Sequence, residues 1–179
     1  QSRELSELNA QIRSKDSLNL VLVMNLKRSL ADVNDSDVNV KVDKGVVLIS
    51  LSDNMLYKSG SAEISPKAGS VLSKIAQVIN DYSTFDVLIE GNTDNVPISN
   101  SCIADNWDLS VKRATAIARV LQTKYGVNPS RIIAGGRSEY NPKVANDTPK
   151  NKSINRRTEI IIMPKLDEFF KLLEIQPAK

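Results

Sequence analysis

Between residues 85 and 134 the chain alternates strand, helix and strand, and this alternation constrains its fold more than any other feature. Residues 85–90 (Phe-Asp-Val-Leu-Ile-Glu) read as a strand. Leu109, Ala116, Ile117, Val120 and Leu121 recur at helical spacing, and residues 131–134 read as a short second strand. A helix that leads from one strand to another of the same sheet makes a crossover, which requires at least partly parallel pairing.

The other segments add antiparallel pairs and more helix. Val38, Val40 and Val42 alternate with polar residues, as in a half-buried strand. Asp43-Lys44-Gly45 is a tight-turn sequence in which Gly45 can take positive φ, and residues 46–51 form a more apolar, central strand. Ser65-Pro66 is a helix start, followed by the stripe Val71, Leu72, Ile75, Ala76 and Ile79. Residues 158–163 form an apolar strand stopped by Pro164. Residues 53–65, 92–108 and 139–153 read as loops. The predicted architecture is α+β: a mixed β-sheet with two main helices on one face, an N-terminal helical extension and a short C-terminal helix. The expected division is 1–37 helical stalk and linker, 38–165 core domain, and 166–179 C-terminal amphipathic helix and tail.

Residues 1–33 carry Leu5, Leu8 and Ile12 on one face, then Leu18, Leu22, Leu26, Leu30 and Val33. Ser14 to Ser17 could interrupt the phase or start a new helix. Two readings stand: a coiled-coil stalk that pairs two chains into a homodimer, or a helix packed on its own domain. Lys15 and Asn19 fall at heptad core positions and weaken the first. The chain opens inside this helical pattern, as a mature or trimmed fragment would.

Composition excludes several functions. There are no histidines, which removes the commonest general base and metal ligand. Cys102 is the single cysteine, so no internal disulfide forms and no thiolate metal site is expected. No cofactor is implied, and nothing pairs a nucleophile with a base, so an enzyme is not expected. No stretch reaches the roughly 18 apolar residues of a membrane span. The net charge of +3 is too small to point to nucleic acid. That charge is uneven: residues 1–90 hold 10 basic and 12 acidic side chains, residues 91–179 hold 14 and 9. The second half therefore mildly favours an anionic partner. Aromatic residues are only 4% of the chain, so Trp107, outside any apolar run, needs a reason to be there.

Asp94 follows the strand end at residue 90, and Arg113 lies four residues after Leu109 and four before Ile117. Arg113 is thus on the buried stripe of its helix, where a guanidinium requires a carboxylate partner. One reading is an internal Asp94–Arg113 salt bridge that staples the loop. The other is a site in which Arg113 takes a carboxylate and Asp94 an ammonium, the two charges of an amino-acid head. The helix start near Asp108 adds free N–H groups suited to an anion, and Asp105 and Asp108 read as capping residues. In Asn155-Arg156-Arg157, strand alternation sends the two arginines to opposite faces.

Five segments in order resemble one family: Glu90-Gly-Asn-Thr-Asp-Asn-Val-Pro-Ile, Asn106-Trp-Asp-Leu-Ser-Val-Lys-Arg-Ala, Val127-Asn-Pro-Ser-Arg, Gly136-Arg-Ser-Glu-Tyr-Asn-Pro and Asn155-Arg-Arg-Thr-Glu-Ile. Across residues 38–165 the chain resembles the OmpA-like peptidoglycan-binding domain of OmpA, Pal and MotB. The resemblance implies a βαβαββ-type fold and non-covalent binding of peptidoglycan peptide stems through the diaminopimelate residue. It implies a wall anchor on the periplasmic side of the envelope, associated with the outer membrane; the alternative is a scaffold that assembles a complex through its N-terminal helix. By position Asp94 and Arg113 match the binding aspartate and arginine. Asn155 and Arg157 match the segment that borders the pocket, with Arg156 left aside, and Thr93, Asn95 and Leu109 line it. Three positions depart from the family: Asn92 stands in place of a histidine, Lys58 stands where a polar or acidic residue flanks the pocket, and Cys102 has no partner.

Overall fold

The computed structural model describes residues 2–165; the C-terminal amphipathic helix and tail expected over 166–179 lie outside the described residues. Five strands form one sheet in the order β1-β2-β5-β3-β4. They are β1 (Val38–Asp43), β2 (Val46–Ser52), β3 (Phe85–Asn92), β4 (Ile132–Gly136) and β5 (Arg157–Pro164). The crossover unit is as read from the sequence: β3 and β4 pair in parallel, Val87 opposite Ile132. The other three pairings are antiparallel. Lys44 and Gly45, at φ 47° and 78°, close the β1–β2 hairpin.

Helices α1 (Ser2–Ser29), α3 (Pro66–Asp81) and α4 (Asn106–Thr123) accompany the sheet. Val47, Ile49, Leu51, Val87, Ile89, Ile160 and Ile162 form a core with Leu72, Ile75 and Ile79 of α3 and Ile117 and Leu121 of α4. The opposite face of the sheet carries Leu48, Glu90, Arg157 and Glu159, by the strict alternation of strands. The starts of α3 and α4 are capped as their sequences suggest. Ser65 accepts from the Ala68 N–H ahead of Pro66, and Asp105 accepts from the Asp108 N–H.

The structure differs from the sequence reading in three places. First, α1 runs unbroken through Ser14 to Ser17. Its second half belongs to the domain rather than to a stalk: Leu22 and Leu26, with Leu30 just past the helix end, are buried in the core, and Asn19 donates to the Gly45 carbonyl at 3.0 Å. Asn19 therefore spoils a heptad because it holds the β1–β2 hairpin. Leu5, Leu8 and Ile12 continue the same stripe into solvent. Second, the loop at 53–65 contains the short helix α2 (Asp53–Leu56), capped by Ser52. Third, the segment read as a loop over 139–153 gives way at its end to α5 (Pro149–Asn155), capped by Thr148. Both helices are too short to show a periodic stripe, so periodicity could not have found them.

Arg131 is a further buried cation that the sequence reading passed over. Its guanidinium donates to the carbonyls of Ile79, Tyr82 and Phe85, at the end of α3 and the start of β3. A guanidinium with several fixed donors suits this role of tying the end of α3 to the start of β3.

Candidate functional site

Four charged side chains meet where β2 and β3 end and β5 begins. Ser52 caps α2 and delivers Asp53 to this point. The Arg113 guanidinium, on the second turn of α4, bonds Asp53 Oδ1 at 2.5 Å and donates through Nε to the Ser61 carbonyl at 3.0 Å. Its guanidinium carbon lies 4.9 Å from the centroid of the Tyr57 ring. The Tyr57 hydroxyl in turn donates to the Arg113 carbonyl at 3.0 Å and meets Thr158 Oγ1 at 3.0 Å. Arg156 Nη1 bonds Asp94 Oδ2 at 2.6 Å, and Arg156 Nε lies 4.0 Å from Asp53 Oδ2. The result is a chain of alternating charge: Arg113, Asp53, Arg156, Asp94.

Asp94 is held by more than its arginine. Its Oδ1 accepts from the Val96 N–H at 3.0 Å, which fixes the turn after β3. The Thr93 hydroxyl donates to the Asp94 carbonyl at 2.8 Å. Asn106, at the first turn of α4, donates to the carbonyls of Asp94 and Val96 and to Glu139. Asp94 and Arg113 are only 6% and 3% exposed, whereas the Arg156 side chain is 31% exposed. Solvent therefore reaches the cluster at Arg156. Burial pushes the Asp53 carboxyl above its ordinary value and the Asp94 charge pushes the same way, against the pull of Arg113 and Arg156.

Of the two readings of Asp94 and Arg113, these contacts overturn the direct salt bridge. Arg113 and Asp94 belong to one cluster, but neither is the other's bonded partner: Arg113 holds Asp53 and Asp94 holds Arg156. The Asp94–Val96 turn aims the Asp94 carboxylate at the start of β5, and α2 brings Asp53 into the space nearer α4.

Arg157 and Asn155 are corrected too. Arg157 lies on the opposite face of the sheet, with Nε on Glu159 at 2.7 Å and its terminal nitrogens on the carbonyls of Asn155 and Asn141. Asn155 is fully buried and pins the loop through Lys143, Val144 and Asn146. Of the remaining candidates, Leu109 is buried on α4, Thr93 braces the Asp94 backbone and Asn95 is exposed. Lys58 is tied to Glu63 at 2.6 Å on the surface. The sequence reading missed Asp53 and Ser61 and left Arg156 aside. Arg156 was legible: Glu159 marks the odd-numbered positions of β5 as the face away from the core, so Arg156 and not Arg157 turns toward α4.

The Arg157–Glu159 pair has a consequence for pH. Burial opposes ionisation of Glu159, but the hydrogen bond and charge of Arg157, joined by Lys143, outweigh it and hold the carboxyl below its ordinary value of 4.5. A lowered carboxyl contributes stability above its ordinary value and loses it as pH falls through the folded value. Glu159→Gln is therefore expected to cost about 1–3 kcal/mol at pH 7 and to flatten the loss of stability below pH ~4.5. Urea melts of both proteins across pH 3–7 check this; parallel pH profiles would contradict it.

The sequence and the fold have counterparts among known proteins. A family model described as the OmpA family matches residues 56–156, and the chain belongs to the OmpA family. It is 30% identical over 131 residues to Motility protein B of Bacillus subtilis, a match that spans 73% of this chain and 50% of that protein. It is also 30% identical over 132 residues to Outer membrane porin F of Pseudomonas aeruginosa, spanning 70% of this chain and 36% of that protein. The chain thus spans half or less of the length of these two relatives. Among solved structures, the cell wall anchor of the T6SS from Pseudomonas aeruginosa superimposes with a TM-score of 0.71 at 30% identity, covering 78% of this chain and 97% of that one. A MotB-like protein from Desulfovibrio vulgaris superimposes with a TM-score of 0.79 at 24% identity, covering 87% of this chain and 96% of that one, and shares the fold.

Proposed function

We propose that this chain anchors an envelope protein to the cell wall by binding peptidoglycan peptide stems non-covalently, through the diaminopimelate residue, on the periplasmic side of the envelope. The observation that carries this reading is the neutral cluster of two carboxylates and two guanidiniums around Asp94 and Arg113. A ligand group bearing one ammonium and one carboxylate adds one charge of each sign, so it can enter without leaving a net charge buried. A lone anion or cation cannot. The free end of diaminopimelate in a peptide stem carries this pair. The carboxylate would take Arg113 and Arg156, and the ammonium Asp94. Similarity to a cell wall anchor over 78% of the chain supports the same reading. The role is binding, not catalysis.

Calorimetry with a diaminopimelate-containing stem peptide tests this against the same peptide amidated at the free carboxylate. The expected result is binding of the first and loss of measurable binding for the second. Equal affinity would sink the assignment to Arg113.

A second reading concerns assembly. Leu5, Leu8 and Ile12 are 62%, 44% and 47% exposed on the stripe that packs the domain further along α1. We propose that this overhang pairs with its copy in a second chain. Sedimentation should show a dimer that Leu8→Glu/Ile12→Glu converts to monomer; a monomer at all concentrations contradicts it.

A further inference from the structure

Trp107 and Tyr140 stand outside the core, 50% and 68% exposed, with ring centroids 5.6 Å apart and planes tilted by 40°. The aromatic residues Tyr57, Phe85, Tyr82 and Tyr125 pack in or against the core. An exposed aromatic pair in so aromatic-poor a chain calls for a partner. The two rings line a cleft of about 350 Å³, with Leu88, Gly135 and Gly136 below them and Glu90 and Arg137 beside them. Arg137 Nε bonds Glu90 Oε2 at 2.8 Å, which leaves its terminal nitrogens to serve a ligand.

The cleft is built on fixed parts. The turn that carries Arg137 and Tyr140 closes through the Tyr140 N–H and the Arg137 carbonyl, with Ser138 at φ 53°. The Ser138 N–H donates to Ser110 of α4, its carbonyl accepts from the Thr93 N–H, and the Arg137 N–H donates to the Gly91 carbonyl. Gly135 leaves the floor open: a Cβ there would meet nothing within 4 Å.

We infer that this cleft is a second subsite, which takes a pyranose ring of a glycan strand while the Asp94–Arg113 cluster holds a peptide stem. The inference rests on the stem-binding reading above. A pyranose offers an apolar C–H face to an aromatic ring and hydroxyls along its rim to a guanidinium; the cleft supplies both, with Arg137 60% exposed and the buried Glu90 fixing its orientation. A purely apolar partner would leave the Glu90–Arg137 pair dehydrated without new bonds. A phosphate would meet the Glu90 carboxylate. The volume suits a small-molecule pocket. Position adds to the chemistry. Trp107 and Arg113 lie on the same helix about 9 Å apart along its axis. Asn106 bonds both the Asp94 loop and Glu139 in the cleft turn. One polymer that bears both sugar and peptide can therefore fill both places.

Trp107 is the only tryptophan, so its emission reports on the cleft directly. The experiment titrates the protein separately with an N-acetylglucosamine oligomer and with the stem peptide, following Trp107 emission and calorimetric heat. The oligomer is expected to shift the emission saturably. Tyr140→Ala, and Gly135→Val as a variant that fills the floor, are expected to weaken the oligomer by about three- to tenfold. Both should leave stem affinity within about twofold. An oligomer that leaves Trp107 emission unchanged, or binds both variants like the native chain, overturns the subsite. A Trp107 response to the stem peptide alone assigns the cleft to peptide and overturns it equally. Oligomer binding with no stem binding supports the cleft and sinks the stem reading instead.

Discussion

Arg113→Ala is expected to lower affinity for a diaminopimelate-containing stem peptide by about tenfold to a few hundredfold. The estimate follows from the loss of one charge-assisted hydrogen bond, about 1.5–3 kcal/mol. Asp94→Ala should lose a similar amount, because the ammonium then has no carboxylate. The Arg113 variant also leaves Asp53 buried without its nearest cation. Removing one partner of a buried pair is destabilising, by about 3–5 kcal/mol in the strongest cases. Asp53→Asn/Arg113→Ala removes the orphaned charge, so it should recover much of the stability and none of the affinity. Thermal melts and calorimetry on the same samples separate the two effects. Recovery of affinity in the double variant would show that Arg113 acts only by holding Asp53.

Gly91→Ala should be among the most damaging single-methyl additions in the molecule. A Cβ at Gly91 would collide with the backbone carbonyl of Ser110, and one at Gly136 with Ser110 Oγ and the Val111 N–H. These two glycines let α4 lie directly on β3 and β4, and that contact sets the height of Arg113 above the sheet end. Overpacking of this kind costs about 1–3 kcal/mol, and more where backbone must move. Gly91→Ala should therefore lower stability by at least that amount and reduce stem affinity as α4 is displaced. Gly135→Ala is the control: its Cβ meets nothing, so stability should stay within about 0.5 kcal/mol. Equal melting of native and Gly91→Ala protein would mean that α4 does not depend on this approach.

The sheet and its two principal helices were legible because their residues keep a strict period. Phe85, Val87 and Ile89 alternate inward on β3, and Val71, Leu72, Ile75 and Ile79 stripe α3. Residues without a period were harder. Asp53 sits on a helix of four residues, too short for any stripe, so nothing in the sequence tied it to Arg113 sixty positions later. The choice between Arg156 and Arg157 depended on the parity of β5, which Glu159 reveals once it is read as the outward side. The need of Arg113 for a carboxylate followed correctly from its place on a buried stripe; the identity of that carboxylate depended on a loop conformation set by the Asp94–Val96 bond. Trp107 was marked as unexplained by its isolation, and the structure supplies its neighbour in Tyr140.

The most direct test of the central claim is a crystal structure of this chain with diaminopimelate soaked in. The expected result is an ammonium within hydrogen-bonding distance of Asp94 and a carboxylate on Arg113, with the Arg113–Asp53 pair opened or shared. Intact Arg113–Asp53 and Arg156–Asp94 pairs, with diaminopimelate bound elsewhere, would contradict it.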